Sequence, residues 1–571
     1  MKKSKLSGLL FLVLTAAALA APAWTPVERI SLHADNAMED DFNPQIAVDG
    51  NGNSYVVWEG YDGNDYEIYW VKIKAEGTSD VKKVSNHIDN ESEDDHTPQI
   101  AVDGNGNSYV VWEGYDGNDY EIYWVKITSL GIPGGVEKIS THEDNIRRDD
   151  INPQIGVDGN GNSYVVWRGF DSSDFEIYWV KMDTSGIPGN VEKVSLHRDN
   201  INLHDQDPQI GVDTRGNSSV VWRGFDGNDQ DIYWVRITTT GVINDVQKVS
   251  IGDTQDRDDY EPQIAVDGNG NSFVTWEGDD GNDHEIYWAK VEIGASEVEK
   301  ISNHIDNEYR NDFNPQIAVD VQGNSYVVWR GFDGNDFEIY WVKVSLSGTS
   351  GSVEKISNHK DNIIWDDSNP QIAVDSTGIS HITWEGFDGI DQDIYWVQID
   401  ASDVIGSAEK ISTHEDNING YDRLPQIAVD NKGEVHIVWE GFNGNNEDIY
   451  FTSTFTDAGG PRTSNITVTP TLVRSDSTVV LTAMISDSIT GGSLIKAAEY
   501  FINSPGENGK GIPMSAVDGR FDSSNESVKA VIDVKALSVG IHTVYVHGQD
   551  AQGNWGSFRL VQFRIYKFSS I

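Results

Sequence analysis

The tripeptide Pro-Gln-Ile occurs eight times in this 571-residue chain, beginning at Pro44, Pro98, Pro153, Pro208, Pro262, Pro315, Pro370 and Pro425, at intervals of 53 to 55 residues. A repeat this regular constrains the fold more than composition does, because every copy must adopt one supersecondary unit and bury its apolar faces against its neighbours. The unit reads Val-Glu-Lys-Ile-Ser, a polar loop, Pro-Gln-Ile-Ala-Val-Asp, Ser-Tyr-Val-Val-Trp and Glu-Ile-Tyr-Trp-Val-Lys, separated by Gly, Asn and Asp. Runs rich in β-branched and aromatic residues between turn formers are strands.

Four short strands in roughly 50 residues is the pattern of a β-propeller blade. The first outer-strand segment, Val27 to Ser31, precedes any Pro-Gln-Ile, and the last unit stops after its third strand at Asp448 to Phe451. The N-terminal strand therefore completes the last blade, which removes the open edges of a linear array. The expected fold is all-β: an eight-bladed propeller of four-stranded blades over residues 24–457. The 18 tryptophans fall mostly at two repeat positions, those of Trp58 and Trp70, as blade-to-blade packing requires.

Three basic residues, Lys2, Lys3 and Lys5, precede an apolar run from Leu6 to Ala21, the layout of a secretory signal peptide at residues 1–21. No later stretch reaches the ~18 continuous apolar residues of a membrane helix. A secreted or cell-surface location is expected, and a monomer. With no cysteine, disulfides and thiolate metal sites are excluded. The net charge of −51 falls almost wholly on the repeats, since the leader is basic and residues 462–571 are nearly balanced. Such a polyanion disfavours nucleic acid and anionic membranes.

Asp-Gly-Asn-Asp followed by Glu-Ile-Tyr-Trp resembles TolB-type propeller repeats. The Pro-x-Ile-Ala-Val-Asp to Val-Val-Trp stretch resembles repeat units of prokaryotic surface proteins in the sialidase-like propeller group. The resemblance spans residues 27–457 and implies fold rather than chemistry. After a linker at 458–464, residues 465–571 have the size and strand spacing of one β-sandwich. Their segment from Leu537 to Gly556 is similar to the last strands of Ig-like domains on secreted prokaryotic proteins, which implies adhesion or spacing.

The Asp49-Gly50-Asn51-Gly52 turn keeps only its Asp and final Gly across the repeats, which points to a hairpin turn instead of a calcium loop. The opposite ends of the strands are richer in acids. There, Asp41 and Asp95 recur as one position, and Asp62, Asp65, Glu67 and Asp116, Asp119, Glu121 as three more. Converging carboxylates need a cation, and Ca²⁺ is the candidate ligand, set against simple turn capping. No other cofactor is required. The residue after the first Trp is of mixed sign, with Glu59, Arg168, Arg223 and Arg330 among its copies, suggesting either ion pairs between blades or a face that grips an acidic ligand. A histidine recurs in the loop before Pro-Gln-Ile in seven units, with Gly252 in the eighth, and single histidines spaced around a ring are too dispersed for zinc.

Regularity in all eight units leaves no unique cluster of acid, base and cation. The expectation is therefore a protein that is not an enzyme: an interaction or adhesion protein whose acidic face binds an extracellular protein or glycan. The alternative is a glycan-active enzyme, a hydrolase or lyase.

Overall fold

The computed structural model describes residues 22–32, 40–74, 77–86, 93–141, 148–196, 204–251, 257–303, 310–359, 365–413, 420–455, 460–487 and 493–567. The expected signal peptide lies outside them, as do the first residues of the expected linker and the loop histidines other than His359.

Every repeat folds as an antiparallel sheet. In the first blade, Asp41–Val48 pairs with Ser54–Tyr61, which pairs with Tyr66–Lys74, whose outer edge takes Lys82–Lys83. Seven further sheets repeat this order, and the first strands of neighbouring blades contact one another all round, including Asp422–Val429 against Asp41–Val48. The protein is a β-propeller of eight blades. Its last blade is closed from the other end of the repeats: Ala23 and Trp24 pair with Phe455 and Thr454, and Glu28 and Arg29 with Phe451 and Tyr450.

The middle strands are buried on both faces, as Ser54–Tyr61 shows, because each blade is covered by a blade on either side. Tyr55, Val57, Ile68 and Trp70 of one blade form a single cluster with Val110, Trp112, Tyr123 and Val125 of the next. The eight tryptophans at the Trp58 position are all 0% exposed, so they are core and not a sugar platform.

In five blades one polar bond fixes the start of the inner strand. Asp41, wholly buried, accepts the indole N–H of Trp58 at 3.0 Å, and the same pair recurs at Asp95–Trp112, Asp150–Trp167, Asp205–Trp222 and Asp422–Trp439. Gly60 faces this bond, and a Cβ there would lie 2.4 Å from the Asp41 carboxylate.

Residues beyond the propeller form a β-sandwich. One sheet holds Arg462–Thr469, Thr478–Ser486, Asn525–Asp533 and Ser515–Ala516. The other holds Leu472–Arg474, Arg559–Tyr566, Gly540–Asp550, Ile495–Ile502 and Ile512–Pro513. Val479, Leu481, Ile485, Val528, Val544 and Phe563 fill the space between them.

Ring closure rests on few residues. Ile30, 2% exposed, packs with Trp58, Val71 and Phe451, and Ser31 Oγ donates to Asp448 Oδ1 at 2.9 Å. Ile30→Ala should cost about 2–5 kcal/mol, the range for a buried aliphatic truncation. Deleting residues 24–32 should abolish cooperative thermal unfolding by exposing the edge of the last blade. Unchanged melting of the deletion variant would refute closure.

Candidate functional site

The two ends of the propeller differ in chemistry. At one end, Asp49 Oδ1 accepts the N–H groups of Asn51 and Asn53 at 2.9 and 3.0 Å, while Oδ2 accepts Asn53 Nδ2 at 2.7 Å and the Tyr55 hydroxyl at 2.9 Å. Gly52 takes φ +83°. This is a side-chain-capped turn, as the sequence indicates. The other end, where the inner strands begin, gathers the acids, the Glu or Arg after the first Trp, and most of the half-buried aromatics.

The acids separate into two groups. Asp41 and Asp95 serve the indole bond described above. Asp62, Asp65 and Glu67 converge, each offering an oxygen within 4.8 Å of the others, and Asp116, Asp119 and Glu121 do the same. In the position the sequence assigned to a calcium ion, the structure places a lysine ammonium. Lys83 Nζ lies 3.0 Å from Asp62 and also bonds Glu67, and Lys138 Nζ lies 2.8 Å from Asp116 and 2.5 Å from Glu121. Lys193, Lys248, Lys300, Lys355 and Lys410 repeat the arrangement, and Arg29 meets Asp448 in the last blade. The cation is the lysine of Val-Glu-Lys-Ile-Ser, one strand away.

Burial raises Glu67 above the usual carboxylate range, against the hydrogen bonds from Lys83 and Ser85. Burial also opposes the Lys83 charge, but its bonds to Glu67 and Asp62 prevail and raise its pKa. Asp65 has no such bond to the ammonium. Burial, then the charges of Glu67 and Asp62, push it up to about 6.

Glu59 links two blades. Its carboxylate accepts Asn43 Nδ2 at 2.8 Å from its own blade, and from the next blade the Thr97 N–H at 2.8 Å, with His96 Nδ1 at 3.0 Å. Glu113 takes the Asn152 N–H and Glu385 the Leu424 N–H, each at 2.6 Å. The residue held in this way precedes Pro-Gln-Ile, sits at a bulge and has a left-handed backbone in every blade, from Asn43 at φ 50° to Leu424 at φ 50°. Arginine cannot accept these bonds. Arg168 lies over Phe175 at 4.5 Å, Arg223 pairs with Asp207 at 2.9 Å and covers Tyr260 at 5.3 Å, and Arg330 covers Phe337 at 3.9 Å. The three arginines stand in the third, fourth and sixth blades, and each already has a partner.

Between Arg223 and Arg330 the aromatic side chains form a continuous row. Tyr260, His284, Phe313 and Phe337 follow one another at centroid separations of 6.1, 5.5 and 6.0 Å. Each is half-buried, leaving part of its surface to solvent.

This row crosses the fifth blade, where the repeat breaks. Glu261 stands where four blades have Asn, His284 where four have Tyr or Phe, and Asp279 where the other seven have Tyr or Phe. Glu261 is exposed, left-handed at φ 48° and receives Asn314 Nδ2 at 2.8 Å. Glu277 is 7% exposed, with His284 Nδ1 at 2.9 Å from its Oε1. Burial first, and then the charge of Glu261, push Glu277 up to about 8. The Tyr260 hydroxyl donates to Asp258 at 2.9 Å, and Tyr260 is pushed up to about 12 by burial and that bond. Two carboxyls, an imidazole, a phenol and a guanidinium thus meet on one face. Comparing each repeat column separately would have revealed them.

No protein-family model and no curated protein matches the chain. Solved structures do resemble it. The polysaccharide lyase Uly1 is 8% identical, with 65% of this chain and 92% of that chain covered and a TM-score of 0.39. An α-L-arabinofuranosidase of Fusarium graminearum is 11% identical, with 53% and 92% covered and a TM-score of 0.32. A study of two prolyl endopeptidases supplies another, 11% identical, with 76% and 57% covered and a TM-score of 0.42. Such likeness concerns fold. The expectation that the chain is not an enzyme is corrected: a polysaccharide lyase and an α-L-arabinofuranosidase are among the structures that resemble it in fold.

The Asp65 shift sets a pH test. Its folded pKa of about 6 exceeds the usual 3.8, so the native state binds the extra proton, and the stability this contributes below pH ~4 is lost as pH rises through about 6. Asp65→Asn removes that loss. Its melting temperature relative to wild type should rise between pH 4 and pH 7, and a difference independent of pH would contradict the assignment.

Proposed function

We propose that the protein is an exported glycan-active enzyme that hydrolyses neutral polysaccharides on the loop face of its propeller. The observation that supports this reading is the fifth-blade break, which sets the Glu261 and Glu277 carboxyls beside a row of half-exposed rings. The apolar faces of sugars stack on aromatic planes, while carboxylates and arginines take up the hydroxyl groups. A uronic-acid polymer would meet a chain of net charge −51, so an uncharged glycan suits the face better.

Glycoside hydrolysis requires one carboxylic acid that is protonated at working pH and one carboxylate. Glu277, at about 8, remains largely protonated at neutral pH and acts as the acid, giving its proton to the bridging oxygen as the bond from that oxygen to the anomeric carbon breaks. Glu261, exposed, is the base that takes a proton from the water adding to that carbon. His284, whose Nδ1 lies 2.9 Å from Glu277 Oε1, holds that carboxyl in position beside the sugar. The N-terminal segment directs export, and the C-terminal β-sandwich serves as an Ig-like spacer.

Release of reducing ends from a panel of neutral and uronic-acid polysaccharides tests the proposal. Activity should be confined to neutral chains and should decline as pH rises through about 8, where Glu277 loses its proton. Glu277→Gln should lower turnover by about 10²–10⁴-fold while retention on a glycan affinity gel persists. Absence of turnover on every substrate, or full activity in the variant, would refute it.

A further inference from the structure

The last blade departs from the repeat at its other end. In six blades the turn Asp is capped through Oδ2 by the side-chain amide of an Asn four residues on, as from Asn53 at 2.7 Å and Asn324 at 2.8 Å. In four of these a Tyr two residues further on adds a second donor, as Tyr55 and Tyr326 do at 2.9 Å. The last blade has Glu434 and His436 at these positions. Its turn is otherwise the same: Asp430 Oδ1 accepts the N–H groups of Lys432 and Glu434, both at 2.8 Å. Both side-chain donors to Oδ2 are gone, however, and a second carboxylate stands in place of one of them.

Asp430 Oδ2 and His436 Nε2 are consequently buried without a hydrogen-bond partner among the described residues, on side chains whose residues are 5% and 4% exposed. Asp430, Glu434 and His436 each offer a ligand atom within 4.8 Å of the others. Ser54 of the first blade holds His436 Nδ1 at 2.9 Å, which fixes the ring and leaves Nε2 as its free nitrogen. This is the hydrogen bond from a neighbouring group that orients a metal-ligating histidine. Gly52, also of the first blade, closes the other side, and a Cβ there would lie 2.6 Å from Asp430 Oδ2. Lys432 Nζ is half-exposed, 3.8 Å from Glu434, and donates to the Asn51 carbonyl of the first blade at 3.5 Å.

We propose that Asp430, Glu434 and His436 bind a divalent transition-metal ion of the Zn²⁺ class at the seam between the last blade and the first. One imidazole with two carboxylates suits borderline ions better than Ca²⁺, which takes only oxygen, and leaves a fourth position for water. The ion supplies the positive partner that the missing Asn and Tyr no longer provide, and it lies where the two ends of the ring meet. The site is independent of the glycan reading.

The test restores the repeat. Glu434→Asn with His436→Tyr recreates the donors of the first blade. Full-length wild type freed of metal by chelation should bind one equivalent of Zn²⁺ that the double variant binds more than about tenfold more weakly, and Zn²⁺ should raise the melting temperature of wild type only. Equal stoichiometry and affinity in the two proteins, or no Zn²⁺ binding by wild type, would overturn the site. Should the double variant fail to fold, Co²⁺ added to wild type decides: shifted proton resonances from a single histidine ring support the site, and their absence overturns it.

Discussion

Each blade depends on a carboxylate removed from water. Stripping solvent from an ionised Asp is costly unless donors replace it, and at Asp41 the indole of Trp58 is one of them. Because the tryptophan is itself core, the bond ties the start of the inner strand to the centre of the blade. Gly60 is required because its missing Cβ makes room for that carboxylate. An apolar core alone tolerates sliding, whereas a slip of one residue would turn Asp41 to the wrong face. The bond therefore specifies register, and through register it sets which side chains reach the loop face.

Immediately after this anchor, the chain takes the left-handed residue whose N–H is held by the preceding blade's Glu, as Thr97 is held by Glu59. Non-glycine residues in that conformation are strained, and a charge-assisted bond from a buried carboxylate offsets the strain. Where an Arg stands in place of the Glu, Arg223 reaches Tyr260 and Arg330 reaches Asp366 of the following unit, while Arg168 lies over Phe175 of its own blade. In the fifth blade the Glu is kept, but the preceding left-handed residue of its own blade has also become an acid. Glu261 beside Glu277 is a poor joint, because its charge adds to burial in raising the proton affinity of Glu277.

The fold was legible because eight copies average out the ambiguity of any single strand, and because the unpaired outer segment at Val27 to Ser31 matched the incomplete last unit. The indole bond was not, since Asp41 and Trp58 are 17 residues apart and only the hairpin register brings them together. The clustering of the acid triads was legible, but their pairing with Lys83 was not, since Lys83 sits in an outer strand whose sequence gives no sign of pointing toward Asp62. His359 shows the same limit. It stacks on Tyr395 at 3.9 Å beside Asp367, a core role that its polar loop conceals. The fifth-blade cluster was visible residue by residue, but treating the repeat as a consensus hid it.

The two departures lie at opposite ends of the ring, one where inner strands begin and one where they turn back. A propeller blade contacts only its neighbours, so the energetic effect of a change decays within a blade or so of its origin. Seven copies of a lysine-filled triad and the repeated indole bond hold the remainder in register, and this is why a strained acid at Glu261 and a stripped turn at Asp430 can persist in one chain. Had either departure been repeated eight times, each ring of unneutralised carboxylates would have added its self-repulsion to a molecule already at −51. Confining each cluster to a single blade keeps that cost local, so in this chain a combination of residues that only one blade holds is where chemistry is to be sought.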